Sequence, residues 1–211
     1  MIKNYLANLN WRYATKEFDR NRKLNPEQMA LLTQSLILSP SSFGLQPWKF
    51  ILVENPDMRQ KIRVAAWDQG QVTDASHLWV LASRKGLDAS DVEKFIKETA
   101  TERKATIESL VGYKDLILGF VSSLNSEKRD DWCARQTYVA LGFLLSAAAQ
   151  NQIDACPMEG FDPKAVDELL GLNKLGYTSR VLCPVGFRAE SDKYATLAKV
   201  RYPETDLVQK I

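Results

Sequence analysis

The stretch SPSSFGLQPWKFILV, Ser39 to Val53, holds two prolines, three serines, a glycine and a tryptophan, and then runs directly into a hydrophobic segment. Serine, glycine and proline each favour turns for a different reason: side-chain bonds to the backbone, access to positive φ, and a fixed φ. So much turn chemistry before a large aromatic residue predicts a loop of defined shape between a helix and a strand. The helix before it is predicted from Pro26 to about Leu38, with Asn25 as N-cap, Pro26 at the first helical position and Gln28 three residues beyond the cap. KFILVE (Lys49–Glu54) is β-rich and bounded by Pro47 and Pro56, and Asn55 with Pro56 starts another helix.

Further along, HLWVLASR (His77–Arg84) reads as a buried strand, and Ser90 with Glu93 forms a capping-box pattern opening a long helical stretch to about Ser123. Asp130–Asn151 is apolar on nearly all sides past its first turns, which predicts a helix enclosed by the core or by a dimer interface. A short helix opens at Asp162 and Pro163, and TSRVLCPVGFR (Thr178–Arg188) is the last strand candidate. Ile2, Leu6 and Leu9 mark a short opening helix ending before Asn10. The last twenty residues have no helical period, and such an end can be kept by wrapping a partner subunit. With no repeat or linker, residues 1–211 are expected to form one domain of α+β or α/β class.

A chain of 211 residues, 45% hydrophobic and 26% charged, should bury roughly 70% of its unfolded surface. A net charge of +2 is too balanced for the basic footprint of a nucleic-acid binder. The longest apolar run, YVALGFLLSAAA, is shorter than a bilayer requires, and the first residues do not resemble a signal peptide, so no membrane association and a cytoplasmic location are expected. Cys133, Cys156 and Cys183 are far apart and His77 is the only histidine, which argues against a metal site and for buried free thiols. Asp74, Ser76 and His77 are expected to cap or brace backbone.

Dinucleotide, P-loop, nucleophile-elbow and zinc-protease motifs are missing from the sequence. What remains is basic: Arg12 with Lys16, and Lys199 with Arg201, lie outside helical periodicity and could together neutralise a phosphate. Taken alone, each pair is an ordinary solvated charge. CPMEGFDP (Cys156–Pro163) sets a lone carboxylate, Glu159, beside Gly160, where a backbone could approach a flat ligand.

In combination, RYATKEFD, SPSSFGLQPWKFILV, TDASHLWVLAS, CPMEGFDP and GYTSRVLCPVGFR with KVRYP resemble, in order, the motifs of the FMN-dependent nitroreductase family. The resemblance implies an α+β nitroreductase-like fold, a mixed central sheet flanked by helices in an intertwined homodimer with two FMN sites. Arg12, Lys199 and Arg201 match the phosphate-binding positions, and Lys16 the basic residue at the N1/O2 edge of the ring, with Tyr13 and Ala14 in the same motif. Pro157, Met158, Glu159 and Gly160 match the turn along the flavin, the Glu159 and Gly160 amides facing its N5/O4 side. Pro40, Ser41, Ser42 and Gly44 match a loop supplied by the other subunit, with Trp48 anchoring it in the core. Ala14 stands where a serine is common, Gly44 where an asparagine is common, and Gln71, with Asp68 before it, where many relatives carry a lysine. Phe120 falls in the region of a substrate-gating aromatic. The activity implied is a ping-pong transfer of two electrons from NADH or NADPH to nitroaromatics, quinones, free flavins or pteridines, with the chemistry at N5 of FMN and no side-chain nucleophile. A dihydropteridine, quinone or flavin reductase of the same fold, or a flavin-binding dimer without catalysis, are the alternatives.

Overall fold

The computed structural model describes residues 2–211; Met1 lies outside them. In chain order the elements are α1 (Ile2–Trp11), α2 (Pro26–Ile37), β1 (Trp48–Val53), α3 (Pro56–Ala65), α4 (Gln71–Asp74), β2 (His77–Arg84), α5 (Ala89–Arg103), α6 (Val111–Ser123), α7 (Ser126–Gln150), β3 (Asp154–Ala155), α8 (Pro163–Leu170), α9 (Leu172–Leu175), β4 (Tyr177–Gly186) and α10 (Glu204–Leu207). Helices dominate and one four-stranded sheet, ordered β1-β2-β4-β3, runs between them, an α+β arrangement. The sheet is not the mixed one expected: among the described residues every strand pair is antiparallel, and parallel geometry enters only at an isolated bridge between Ala14 and Ala155.

The register explains why β2 reads as a continuous apolar run. His77–Arg84 lies between β1 and β4 with helices on both faces, so alternate residues serve two cores. Trp79 and Leu81, with Val181, Cys183 and Val185, pack against Leu32 and Leu36 of α2 and Ala140, Leu141, Leu144 and Ala148 of α7. Leu78, Val80 and Leu182 face the other way, onto Ile62 of α3 and Ala66 just beyond its end, Val166 of α8, and Phe18, Cys156 and Met158. A third cluster joins α5, α6 and the start of α7 to Leu45 at the end of the Ser39–Pro47 loop. Fully burying a Leu or Ile contributes roughly 1.5–3 kcal/mol, so the two faces of the sheet hold most of the driving force.

Local signals place the helices with few exceptions. Asn25 accepts from the Gln28 amide at 2.8 Å while Gln28 returns a bond to the Asn25 amide at 3.0 Å, and Asn55 and Asp162 cap α3 and α8. The box expected at Ser90 and Glu93 sits two residues earlier: Asp88 accepts from the Ser90 amide and Asp91 from the Asp88 amide, so a carboxylate serves as the cap where the Ser90 hydroxyl was expected. The long helix to Ser123 is two helices, because Lys104 turns to φ +51° and the Ala105 amide bonds back to Ala100. The opening helix runs on to Trp11 rather than stopping before Asn10. Helix α7 is enclosed on only part of its girth: Tyr138, Val139 and Phe143 are 38–45% exposed. No helix among the described residues is long and apolar enough to cross a membrane.

Candidate functional site

Past Trp11 the chain leaves α1 and crosses the end of the sheet, and its inward side chains fix its course. Thr15 is buried, its hydroxyl donating to Asp154 Oδ1 at 3.3 Å, and Phe18 is buried and bridged to Arg188. One carboxylate gathers the outer strand of this loop: Asp192 accepts from the Tyr13 hydroxyl (2.8 Å), the Lys16 amide (2.8 Å), the Glu17 amide (3.1 Å) and the Tyr194 amide (3.0 Å). Burial pushes the Asp192 carboxyl up, but these donors outweigh it and hold it below the ordinary carboxylate range. Burial and the bond to Asp192 drive the Tyr13 phenol well above its usual value, so it stays a donor. Tyr13 therefore helps build the site's frame.

The loop forms one wall of a cavity of about 610 Å³ lined by Trp11, Arg12, Ala14, Lys16, Arg188, Tyr194, Leu197, Lys199 and Arg201, among others. Among the described residues, no carboxylate lines it. Arg188 is held by buried Asp154, at 2.9 Å from Nε and 2.6 Å from Nη2, and its guanidinium lies 4.1 Å from the centre of the Trp11 ring and 4.6 Å from that of Tyr13. Arg12, Lys16, Lys199 and Arg201 have no carboxylate partner among the described residues. Burial, and then the charge of Arg201, lower the pKa of Arg12; burial, Arg12 and Arg201 lower that of Lys199. Cations held together at this cost are relieved by an anion, and a phosphate with charge near −2 suits several guanidinium and ammonium donors. The donor set fits the phosphate of FMN.

The bridge from Ala14 to Ala155 joins this loop to the turn beyond β3. Met158 is buried and exchanges main-chain bonds with Leu182 at 2.8 and 3.0 Å, while the Gly160 carbonyl accepts from Gln69 Nε2 at 2.7 Å. A Cβ at Gly160 would lie 2.9 Å from the Trp67 ring, so the glycine lets that indole rest against the turn. Glu159 is exposed, and its carboxylate accepts from the Tyr138 hydroxyl at 2.6 Å. Gln71 is buried, and the Cys156 thiol, whose pKa burial raises, lies close enough to the Lys16 charge and the Gln71 side chain for both to oppose that rise. Lys16, Gln71 and the Pro157–Gly160 turn are thus neighbours through Cys156. Asp68 is turned outward, its carboxylate 2.7 Å from Arg63.

Pro40, Ser41, Ser42 and Gly44 lie elsewhere. Their loop holds a set shape: Phe43, Gly44 and Gln46 have positive φ, Ser41 Oγ accepts from the Gln46 amide, and the Ser42 amide donates to Gln136 Oε1 at 2.9 Å. Asn8, just before the basic loop, bonds Gln150 on the same helix, about 21 Å along α7 from Gln136. One protomer therefore does not bring this loop to the Arg12 cavity. Phe120 packs between Phe43 and Trp132, with ring centres 5.1 and 5.4 Å away. The structure adds Asp192, Asp154 and Arg188 as framing residues. Only Asp154, a lone acid between Ile153 and Ala155, carried a sequence signal, since an acid in an apolar strand needs a buried partner.

A model of the nitroreductase family matches residues 9–187, ending before Lys199 and Arg201. An oxygen-insensitive NAD(P)H nitroreductase of Salmonella typhimurium is 35% identical over 208 residues, covering 94% of this chain and 95% of the relative. Among solved structures, a nitroreductase-like protein of Streptococcus mutans superposes with a TM-score of 0.87 at 20% identity over the whole of both chains. A protein of Exiguobacterium sibiricum solved in complex with FMN gives 0.82 at 20% identity, over 98% of this chain and 97% of the other. With a family match that takes in the basic loop, the sheet and the Pro157–Gly160 turn, and a near full-length relative of that identity, the chain belongs to the nitroreductase family.

Proposed function

We propose that this chain is an FMN-dependent NAD(P)H oxidoreductase that acts as a homodimer and passes two electrons to nitroaromatic, quinone or related acceptors. The observation that carries this is the cavity whose four cations Arg12, Lys16, Lys199 and Arg201 have no carboxylate partner among the described residues, joined by the Ala14–Ala155 bridge to the Pro157–Gly160 turn. Arg12, Lys199 and Arg201 hold the phosphate. Lys16 places an ammonium where negative charge grows on reduction of the ring, a preorganised charge of the kind that lowers the cost of that step. Tyr13 and Ala14 shape the basic loop, Gln71 offers a polar edge beside Lys16, and the turn from Pro157 to Gly160 lies along the ring. Bound FMN would supply the two-electron redox chemistry between NAD(P)H and the acceptor, in the ping-pong sequence we propose.

The dimer is supported by apolar surface that one protomer leaves uncovered. Val139 and Phe143 on α7, Ile2 and Leu6 on α1, which packs on α7, and Leu197, Val200 and Tyr202 in the tail are all exposed, large apolar side chains that a partner subunit would cover. The second protomer would bring its own Pro40–Gly44 loop to the cavity, completing a site that one copy leaves open, with residues 1–211 acting as one domain. A visible spectrum of purified protein, then anaerobic addition of NADH and of NADPH, tests the proposal. A flavin band that bleaches supports it; a colourless protein that cannot be reconstituted with FMN overturns it.

A further inference from the structure

We propose that Tyr138 is a positioning residue for the flavin turn, its hydroxyl holding the Glu159 carboxylate and limiting the negative charge that the turn presents to the bound ring. This rests on the FMN assignment above. Tyr138 projects from the middle of α7, and its hydroxyl donates to Glu159 Oε1 at 2.6 Å, the length of a strong charge-assisted bond. Glu159 has no cation within ion-pair distance among the described residues, so this hydroxyl is the side-chain donor the protein gives its carboxylate. The backbone around Glu159 is held independently, by the Met158–Leu182 pair on one side and the Gln69 bond to Gly160 on the other. Loss of the hydroxyl therefore frees a charge without releasing the turn.

The donor is also suited to permanence. Burial, and then the bond to Glu159, push the Tyr138 phenol up to about 12, so the proton stays on the tyrosine across the working range of such enzymes. A carboxylate left without its donor at this position disfavours added negative charge on the ring, and a neutral amide in its place favours it.

The experiment measures FMN dissociation constants and the two-electron midpoint potential in wild type, Y138F, E159Q and the double variant. Y138F is expected to weaken binding of reduced relative to oxidised FMN by about three- to tenfold, tenfold corresponding to about 30 mV for a two-electron couple. E159Q is expected to move the potential the opposite way, and Y138F is expected to add nothing in the E159Q background, because a residue that acts through another loses its effect when that other is neutral. A Y138F potential equal to wild type, or the same shift in both backgrounds, overturns the proposal. Should Y138F fail to fold, E159Q alone decides: an unchanged potential means that the flavin does not feel this carboxylate, and the proposal falls. These failures all occur in protein carrying its FMN; a wild type that takes up no FMN overturns the assignment on which the proposal rests.

Discussion

The ammonium of Lys199 donates a hydrogen bond to the main-chain carbonyl of Arg12, so the C-terminal tail closes onto the end of the first helix across 187 positions of sequence. The cationic half of the cavity is thus assembled from both ends of the chain, and neither end alone concentrates the positive charge that the proposed phosphate dianion calls for.

Removing one of these charges is expected to weaken FMN binding measurably. Arg12→Ala and Arg201→Ala should each raise the dissociation constant by about tenfold to a hundredfold, the ~1.5–3 kcal/mol of a charge-assisted contact. Lys16→Ala should slow turnover as well as weaken binding. Fluorescence titration of apoprotein with FMN reads the constants, and an unaltered constant in either arginine variant removes that residue from the phosphate site.

Deleting residues 198–211 should leave the core folded and the cofactor unretained. No residue from Lys193 to Ile211 is buried, so the far-UV circular dichroism of the truncated protein should match the full chain. FMN should separate from it on gel filtration, since Lys199 and Arg201 go with the deletion. Truncated protein that elutes yellow would place the phosphate elsewhere.

Asp192 makes a prediction about acid. Its folded-state pKa is depressed, so its stabilising contribution is present above the unfolded carboxyl value of about 3.9 and is lost as pH falls through the lower folded value. Asp192→Ala leaves three amides and the Tyr13 phenol without their acceptor, and should cost about 2–3 kcal/mol at pH 7. Thermal melts of the two proteins should converge as the pH is lowered below about 4. A constant gap down to strongly acid pH would show that the carboxylate charge is not what holds the loop.

The three cysteines are free and buried. Burial pushes the Cys133 thiol up to about 12 and raises those of Cys156 and Cys183 as well. Native protein at pH 8 should give no colour with a chromogenic disulfide reagent, and three equivalents after denaturation. Rapid reaction of the native protein would mean that one of these thiols opens to solvent.

Much of the scaffold could be read from the chain because its signals are local. Asn25, Asn55 and Asp162 cap helices within three residues of themselves, and β2 announces burial on both faces by its unbroken apolar run. The break at Lys104 was not legible, because nothing in the residues around it forbids a helix and the turn is set by how α5 and α6 pack on the loop at Phe43 to Leu45. In the site, the basic residues could be picked out by type, but their framing could not. Asp192 meets Tyr13 and Lys16 from more than 170 positions away, and Arg188 finds Asp154 across 34, separations at which no spacing rule operates. The Pro40–Gly44 loop was recognisable as a shaped loop, yet its distance from the cavity within a protomer depends on the length of α7, which only the fold reveals.

The exposed tail has a consequence for the life of the protein in a cell. A segment that buries nothing of its own and is tied to the end of the first helix by the Lys199 bond to Arg12 would, on the proposed assignment, gain its firmest hold from the phosphate, so holoprotein and apoprotein should differ most there in susceptibility to proteases. Occupancy would then be read as turnover: a copy without flavin presents a cleavable end, loses Lys199 and Arg201 when it is cut, and cannot be reloaded, which drains the apo pool irreversibly.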